Sequence, residues 1–258
     1  MLDNKWALVT GAAHRVGKNI AETLSKQGSN IFLHYGRSEK DAVATANELR
    51  NNGSEVILIQ ADLSQPKEIE NIFSTIISSG NNLDITINSA ASFMKKEIKD
   101  TKVEQWDSVQ NTNLRAPFLI AKKSTELMLN NTGEDKGNII FVSDLSGIFT
   151  WKGYTAHGVS KAGIIHLTKS FAYEFAPEIR VNGVIPGLIL PPPNLSVVDE
   201  EWKSMVKNIP LRRNGNPQYV SDTIIFMLTN DFMTGNLIYV DGGEHLVGNI
   251  NHRGSGYE

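Results

Sequence analysis

Short apolar runs alternate along the chain with longer stretches whose apolar residues recur every three or four positions. The runs fall at 6–10, 30–34, 55–60, 83–88, 138–143, 180–185 and 236–240, each rich in Ile, Val or Leu and flanked by Gly, Asn or Asp. Apolar residues at successive positions, rather than at every second one, predict strands buried on both faces, the habit of parallel sheets. The amphipathic stretches at 17–27, 39–51, 66–78, 114–129, 157–175 and 217–228 predict helices between those strands. Such an alternation implies right-handed crossovers, and so an α/β fold: a doubly wound, parallel seven-stranded sheet with helices on both faces. No linker or repeat divides the sequence, so one domain over 1–258 is expected. The one long irregular stretch, 186–216, holds Pro191, Pro192 and Pro193 and a helical pattern at 199–207; a loop of that length predicts a substrate lid. The tail, 244–258, has little pattern.

Composition narrows the function. Hydrophobic residues are 40% of the 258, enough to bury a core without staples. Lys and Arg number 25 against 28 Asp and Glu, a formal charge of −3, so no basic surplus exists to hold nucleic acid or an acidic bilayer, and a small molecule is the expected partner. Cys is absent, which excludes disulfides, thiolate metal sites and a cysteine nucleophile. No apolar run approaches the roughly 18–20 residues that span a bilayer. The first run starts at Trp6, leaving no room for a signal peptide, so a cytoplasmic location is expected and the Asn52-Gly53-Ser54 and Asn194-Leu195-Ser196 sequons are incidental. The histidines show no ligand spacing with acids, so no metal site is expected.

The first run ends in Thr10-Gly11-Ala12-Ala13-His14-Arg15-Val16-Gly17 and a helical pattern follows. Glycines at such a turn let backbone N–H groups face a pyrophosphate at a helix N-terminus. A P-loop does not fit, because five residues separate the glycines and Asn19 stands where Ser or Thr must reach magnesium; GxGxxG does not fit either. The loop resembles the cofactor loop of the short-chain dehydrogenases/reductases, whose fold is of Rossmann type. The resemblance continues in order through Asp62, Asn88-Ser89-Ala90-Ala91, Asn113, the stretch from Asp144 to Lys161, Pro186-Gly187 and Asp241-Gly242-Gly243. Within that family, Arg15 in place of the usual middle glycine, together with His34-Tyr35-Gly36-Arg37-Ser38, is similar to the pteridine reductase and dihydromonapterin reductase branch. Phe93 matches the position where that branch stacks a ring on the pterin, whereas Ala91 replaces a Ser that the branch uses.

An NAD site wants an acid at the end of the second strand to bond the ribose 2′-hydroxyl. Here Tyr35, Gly36, Arg37 and Ser38 stand there, and guanidinium and hydroxyl donors suit a 2′-phosphate, so NADP(H) is the expected cofactor. The resemblance implies a cofactor site of Gly11, Arg15, Val16, Gly17, Tyr35, Arg37, Ser38, Asp62, Leu63, Asn88, Ser89, Ala90, Lys161, Pro186 and Gly187. Arg15 would reach pyrophosphate and substrate, and Asp62 the adenine amino group. From its sequence position alone, Asp62 also reads as a helix N-cap ahead of Pro66.

The resemblance implies catalysis by a Tyr four residues before a Lys, with a Ser thirteen residues before the Tyr. Here Lys161 is preceded at those distances by His157 and Asp144, and Tyr154 lies three residues out of register. Asp agrees with the pteridine reductase branch; His does not. Imidazole can act as a general acid near neutrality, so the expected catalytic set is Asn113, Asp144, His157 and Lys161, with Arg15, Phe93, Asp144 and His157 against the substrate. The expected function is NADPH-dependent reduction of a flat heterocycle or carbonyl. An NADP-dependent alcohol or ketone dehydrogenase and a catalytically silent NADPH-binding protein are the alternatives. A homo-oligomer, dimer or tetramer, is expected from apolar residues on two helices (Leu119, Ile120, Ile164, Ile165 and Leu167) and from the family.

Overall fold

The computed structural model describes residues 2–192 and 196–248; Pro193 of the expected lid and 249–258 of the tail lie outside the described residues. The seven apolar runs become strands β1 (Trp6–Val9), β2 (Asn30–Tyr35), β3 (Val56–Gln60), β4 (Ile85–Asn88), β5 (Gly137–Val142), β6 (Ile179–Pro186) and β7 (Leu237–Val240). They form one all-parallel sheet in the order β3-β2-β1-β4-β5-β6-β7. The winding reverses between β1 and β4, and the crevice above such a switch point, at the carboxyl ends of the strands, is where doubly wound sheets bind ligands.

Between the strands lie α1 (Arg15–Lys26), α2 (Glu39–Asn51), α3 (Pro66–Ser78), α4 (Val103–Gln110), α5 (Ala116–Met128), α6 (Thr155–Phe175), α7 (Glu200–Lys207), α8 (Pro217–Thr229) and α9 (Glu244–Val247). Alternate residues of each central strand feed opposite layers. Ala7 and Val9 of β1 join Ile20, Leu24, Ala46, Ile224 and Met227 of α1, α2 and α8, while Trp6 and Leu8 join Ile72, Ile76, Ile120 and Phe171 of α3, α5 and α6. β7 is the exception to the expected burial: it closes one edge, and Tyr239 is 37% exposed.

Four differences from the sequence reading have identifiable physical causes. α1 starts at Arg15, two residues early, because the chain turns into the helix at His14 with extended φ. The expected helix at 114–129 divides: α4 leads into a π turn, Asn111–Arg115, and α5 follows with Pro117 in its first turn, where a missing N–H costs nothing. α4 itself went unread, its eight residues carrying only one buried apolar side chain, Val109. In the tail, Glu244 turns inward and α9 forms. The oligomer argument also changes, since Ile120 and Ile164 are core residues at 0% and 2% exposure. What α5 and α6 leave outside is Phe118, Val159 and Tyr173.

Candidate active site

Two constellations meet above the switch point. The first is a cleft of about 390 Å³ whose lining includes Gly11, His34, Gly36, Arg37, Asp62, Leu63 and Ala90. Its floor is built by hydrogen bonds that order the strand ends. Thr10 Oγ1 accepts from Ser89 N and Ala90 N at 3.0 and 3.1 Å, joining the loop after β1 to the loop after β4. His34, 2% exposed, bridges outward: Gly11 N donates to its Nδ1 at 3.1 Å, which fixes the neutral tautomer whose Nε2–H donates to Ala61 O at 3.1 Å. Burial holds this imidazole far below its ordinary value of 6.5, at about 4, although the Ala61 carbonyl pulls upward.

The glycine loop is shaped by close approach. Gly11 has φ +68, and a Cβ on Gly17 would stand 2.2 Å from Gly11 O, so neither position has room for a side chain. Arg15 holds a left-handed backbone, φ 57, which costs an L-residue roughly 1–2 kcal/mol and accounts for the glycine usual there. Its Nη2 donates to Pro191 O at 2.9 Å, tying the loop to the 186–216 segment. The start of α1 has no side-chain cap and no acid in its first turn, leaving its N–H groups to face an anion.

The other expected cofactor residues fall into two groups. Arg37, Asp62, Leu63 and Ala90 line the cleft, and Ser38 sits beside Arg37 at the start of α2. Asp62 does not cap α3, whose N-cap is Gln65. Instead its Oδ1 accepts from Ser64 N at 2.9 Å; that bond, the Ser64 hydroxyl and nearby Arg37 hold its carboxyl below the usual range. Tyr35 is packed into the core with Val16 against it, so neither side chain lines the cleft. Gly187 N donates to Val240 O at 3.1 Å just past Pro186, the last residue of β6. Asn88 is 3% exposed and both its amide atoms lack a partner among the described residues, an unmet demand at the switch point.

The second constellation surrounds Asp144, the N-cap of a short 3₁₀ turn at Leu145–Gly147. Its Oδ1 accepts from Ser146 N at 2.9 Å and from the Ser146 hydroxyl; its Oδ2 accepts from His157 Nε2 at 2.7 Å. Burial pushes this carboxyl up, but the His157 bond, the Lys161 charge and the Ser146 bond outweigh it and hold Asp144 at about 2. These partners favour the carboxylate form of Asp144. His157, 1% exposed, is shut in: Phe93 lies edge-on at 4.7 Å, and Nδ1 is 3.1 Å from Ser92 O and 3.3 Å from Asn113 Nδ2. Either form of the ring finds a partner, since a protonated Nδ1 donates to Ser92 O and a bare one accepts from Asn113.

The π turn places Asn113 for this task. Its Oδ1 accepts from Ser92 N at 2.6 Å and its Nδ2 donates to Ser92 O at 2.8 Å, clamping the segment that carries Phe93. Lys161, 5% exposed, donates to Val142 O at 2.9 Å; burial pulls its ammonium down and the Asp144 charge pulls it up. Phe93 is 53% exposed and meets Tyr154 at 4.8 Å, and Trp151 meets Tyr154 at 6.0 Å. Sequence reasoning therefore brings Asn113, Asp144, His157, Lys161 and Phe93 to one place. It missed His34, Ser92, Ser146 and Trp151. Two of these carried a signal: Ser146, a serine two residues past an acid, the spacing of an Asx turn, and His34, which heads the His34-Tyr35-Gly36-Arg37-Ser38 run.

Known proteins resemble the chain over nearly its whole length. Residues 11–245 match the family model described as Enoyl-(Acyl carrier protein) reductase. The 3-oxoacyl-(acyl-carrier-protein) reductase FabG of Staphylococcus epidermidis is 32% identical over 246 residues, covering 94% of this chain and 100% of that protein. FabG of Staphylococcus aureus is 33% identical over 245 residues, covering 94% and 98%. Among solved structures, a dehydrogenase/reductase from Sinorhizobium meliloti 1021 superposes with TM-score 0.87 at 27% identity, covering 94% of this chain and 95% of that one. A short-chain dehydrogenase/reductase from Serratia marcescens superposes equally, TM-score 0.87, over 94% of this chain and 98% of that one; at 23% identity it speaks to the fold alone.

Proposed function

The chain belongs to the short-chain dehydrogenase/reductase family of oxidoreductases, and from that membership we propose that it is an NADPH-dependent reductase of a flat heterocyclic substrate, like the pteridine reductases in its site pattern. The observation that carries the cofactor half is the cleft at the switch point, where Arg37, and no acid, follows β2 and shares the lining with Gly11, Asp62 and Leu63. The residues fit a dinucleotide. The Gly11–Gly17 approach leaves a cradle closed to any side chain, the α1 N-terminus is free of acids, and the orphaned Asn88 amide offers donor and acceptor to a polar ligand.

In this reading Arg37 forks the 2′-phosphate with Ser38 beside it, Asp62 accepts from the adenine amino group, and Leu63 packs on the ring. NADPH, when bound, supplies the hydride. Lys161 keeps N–H donors for the nicotinamide ribose beyond the one given to Val142 O. Phe93 offers the substrate a ring face, Asp144 its polar edge, and Asn113 holds the Ser92–Phe93 segment in place.

Arg37→Ala tests the cofactor: NADPH binding, read by nicotinamide fluorescence, weakens by about 1–3 kcal/mol, the worth of a charged hydrogen bond, and NADH binding stays within a few-fold. Equal loss for both cofactors refutes the assignment. Reduction of a carbonyl is the second reading, favoured by the names of the relatives at 32% and 33% identity. Steady-state NADPH oxidation with a dihydropterin against a 3-oxoacyl thioester separates the two. Cofactor binding with no turnover across such a panel leaves a silent NADPH-binding protein.

A further inference from the structure

We infer that the substrate reduced here arrives as a cation, a flat iminium whose C=N⁺ group sits against Asp144 beneath the Phe93–Tyr154–Trp151 rings. The inference rests on the reductase reading above and names the class of substrate that this site takes.

The case begins with the proton. Reducing a ketone places a hydride on carbon and negative charge on oxygen, so a proton donor must face that oxygen. No side chain of the catalytic cluster is open to do so. His157 is shut in at 1% exposure, its Nε2–H directed at Asp144 Oδ2 and its Nδ1 at Ser92 O. Lys161 is buried with its ammonium on Val142 O. Tyr154 stands at the N-cap of α6, three residues before His157, with its ring against Phe93 and Trp151, and burial and the Glu201 carboxylate of α7 make its hydroxyl a weaker acid than a free phenol. The group that reaches the open side is Asp144, its side chain 21% exposed, and it is an acceptor already taking hydrogen bonds from Ser146 and His157.

An anion at that point repels a carbonyl oxygen and still more an alkoxide, and attracts a cation. The rings beside it act in the same direction. Phe93, Tyr154 and Trp151 form a chain of contacts at 4.8 and 6.0 Å, and aromatic faces bind flat cations. Lys95 Nζ already stands 6.0 Å from the Tyr154 centroid, so one face of that ring accepts positive charge in the protein itself. Lys161 and Lys95 are the opposing charges: the Lys161 ammonium is turned away onto the β5 carbonyl, and Lys95 is exposed to solvent.

The chemistry then balances without a donor. Hydride from NADPH forms the new C–H bond, the π pair of C=N⁺ becomes the nitrogen lone pair, and the product is a neutral amine beside NADP⁺. No proton moves in that step. Loss of the phenol at 157 is thereby matched to a substrate that needs none.

Calorimetric titration of the full chain, with and without NADP⁺, using N-methylquinolinium and the neutral isostere 4-methylquinoline at pH 8, tests the site without turnover. The cation is expected to bind on the order of tenfold tighter or more, the worth of one charge-assisted contact over aromatic faces. Asp144→Asn should abolish that preference. If this variant does not fold, Trp151→Leu should reduce the preference several-fold. In turnover, N-methyl-3,4-dihydroisoquinolinium should be reduced and 1-tetralone should not. Equal binding of the two isosteres, a preference that survives in Asp144→Asn, or faster reduction of the ketone each overturns the inference. Cation preference without any NADPH binding removes the reductase reading and leaves the cation site; ketone reduction without cation preference does the opposite.

Discussion

His34 makes the stability of this protein depend on pH in a calculable way. In the unfolded chain its imidazole titrates near 6.5, and in the fold near 4. Between those values the unfolded state holds a proton that the folded state does not, so stability falls as pH falls from 6.5 toward 4 and is unaffected by this group above about 7. At about 1.4 kcal/mol per pH unit, the loss reaches roughly 3 kcal/mol by pH 4, a large share of an ordinary domain's stability. His34→Asn isolates the effect. Asn Oδ1 stands near the place of Nδ1 and can still accept from Gly11 N, but the bond to Ala61 O is lost, at about 1 kcal/mol. The variant should therefore be about 1 kcal/mol less stable than the parent at pH 7. It should be more stable than the parent by a similar amount at pH 4.5, where the parent has lost over 2 kcal/mol through His34. Urea unfolding of both proteins at fixed protein concentration across pH 4–8 is the assay, and the two stability curves should cross near pH 5.5–6. Parallel curves over that range would falsify the assignment of a neutral, buried His34.

Arg180 carries a second stability prediction. Its guanidinium donates to Met227 O, Leu228 O and Asn230 O at 2.8–3.0 Å and reaches Asp135, closing the carbonyl end of α8 from inside the sheet. Arg180→Met should cost roughly 2–4 kcal/mol in urea unfolding by stranding those carbonyls, and a loss below about 0.5 kcal/mol would show the clamp to be idle. The exposed side chains of α5 and α6, Phe118, Val159 and Tyr173, should lie in a subunit contact. Light scattering at micromolar concentration should give the mass of a dimer or tetramer, and Phe118→Lys should lower it; a monomeric parent refutes the contact.

The sheet was legible because its message is redundant. Each strand from β1 to β6 is an apolar run wrapped in turn residues, and α2 and α3 fall at the positions their periodicity predicts, α3 with Pro66 opening it. What escaped was set by tertiary contact. The π turn at Asn111–Arg115 has no composition signal; it exists because Asn113 satisfies both backbone groups of Ser92, a residue 21 positions away. α9 is similar, since its four residues order where Glu244 accepts from Leu188 N, 56 positions back. Tyr35 shows the converse: a local motif placed it with Arg37, but alternation along β2 turns it into the core and leaves His34 on the cleft.

At the catalytic cluster the sequence supplied the members and withheld their order. Spacing put Asp144 thirteen residues before His157 and His157 four before Lys161, which is enough to gather them but not to say which one faces the substrate. That is decided by reach. A phenol at 157 would carry its hydroxyl well beyond the ring, past Asp144 and toward the open side. Imidazole ends at its ring nitrogen, and here that nitrogen meets Asp144 Oδ2 at 2.7 Å and goes no further. Asp144 is the residue the resembled branch also carries, and His157 is the departure: the shorter ring ends on the carboxylate, which is left as the group toward the open side. With Ser146 on its other oxygen and Lys161 nearby, that anion has no means of becoming an acid at neutral pH. On the proposed reading, a carboxylate at the open side shifts the demand from a proton donor in the protein to positive charge in the substrate, which is then to be sought among cations.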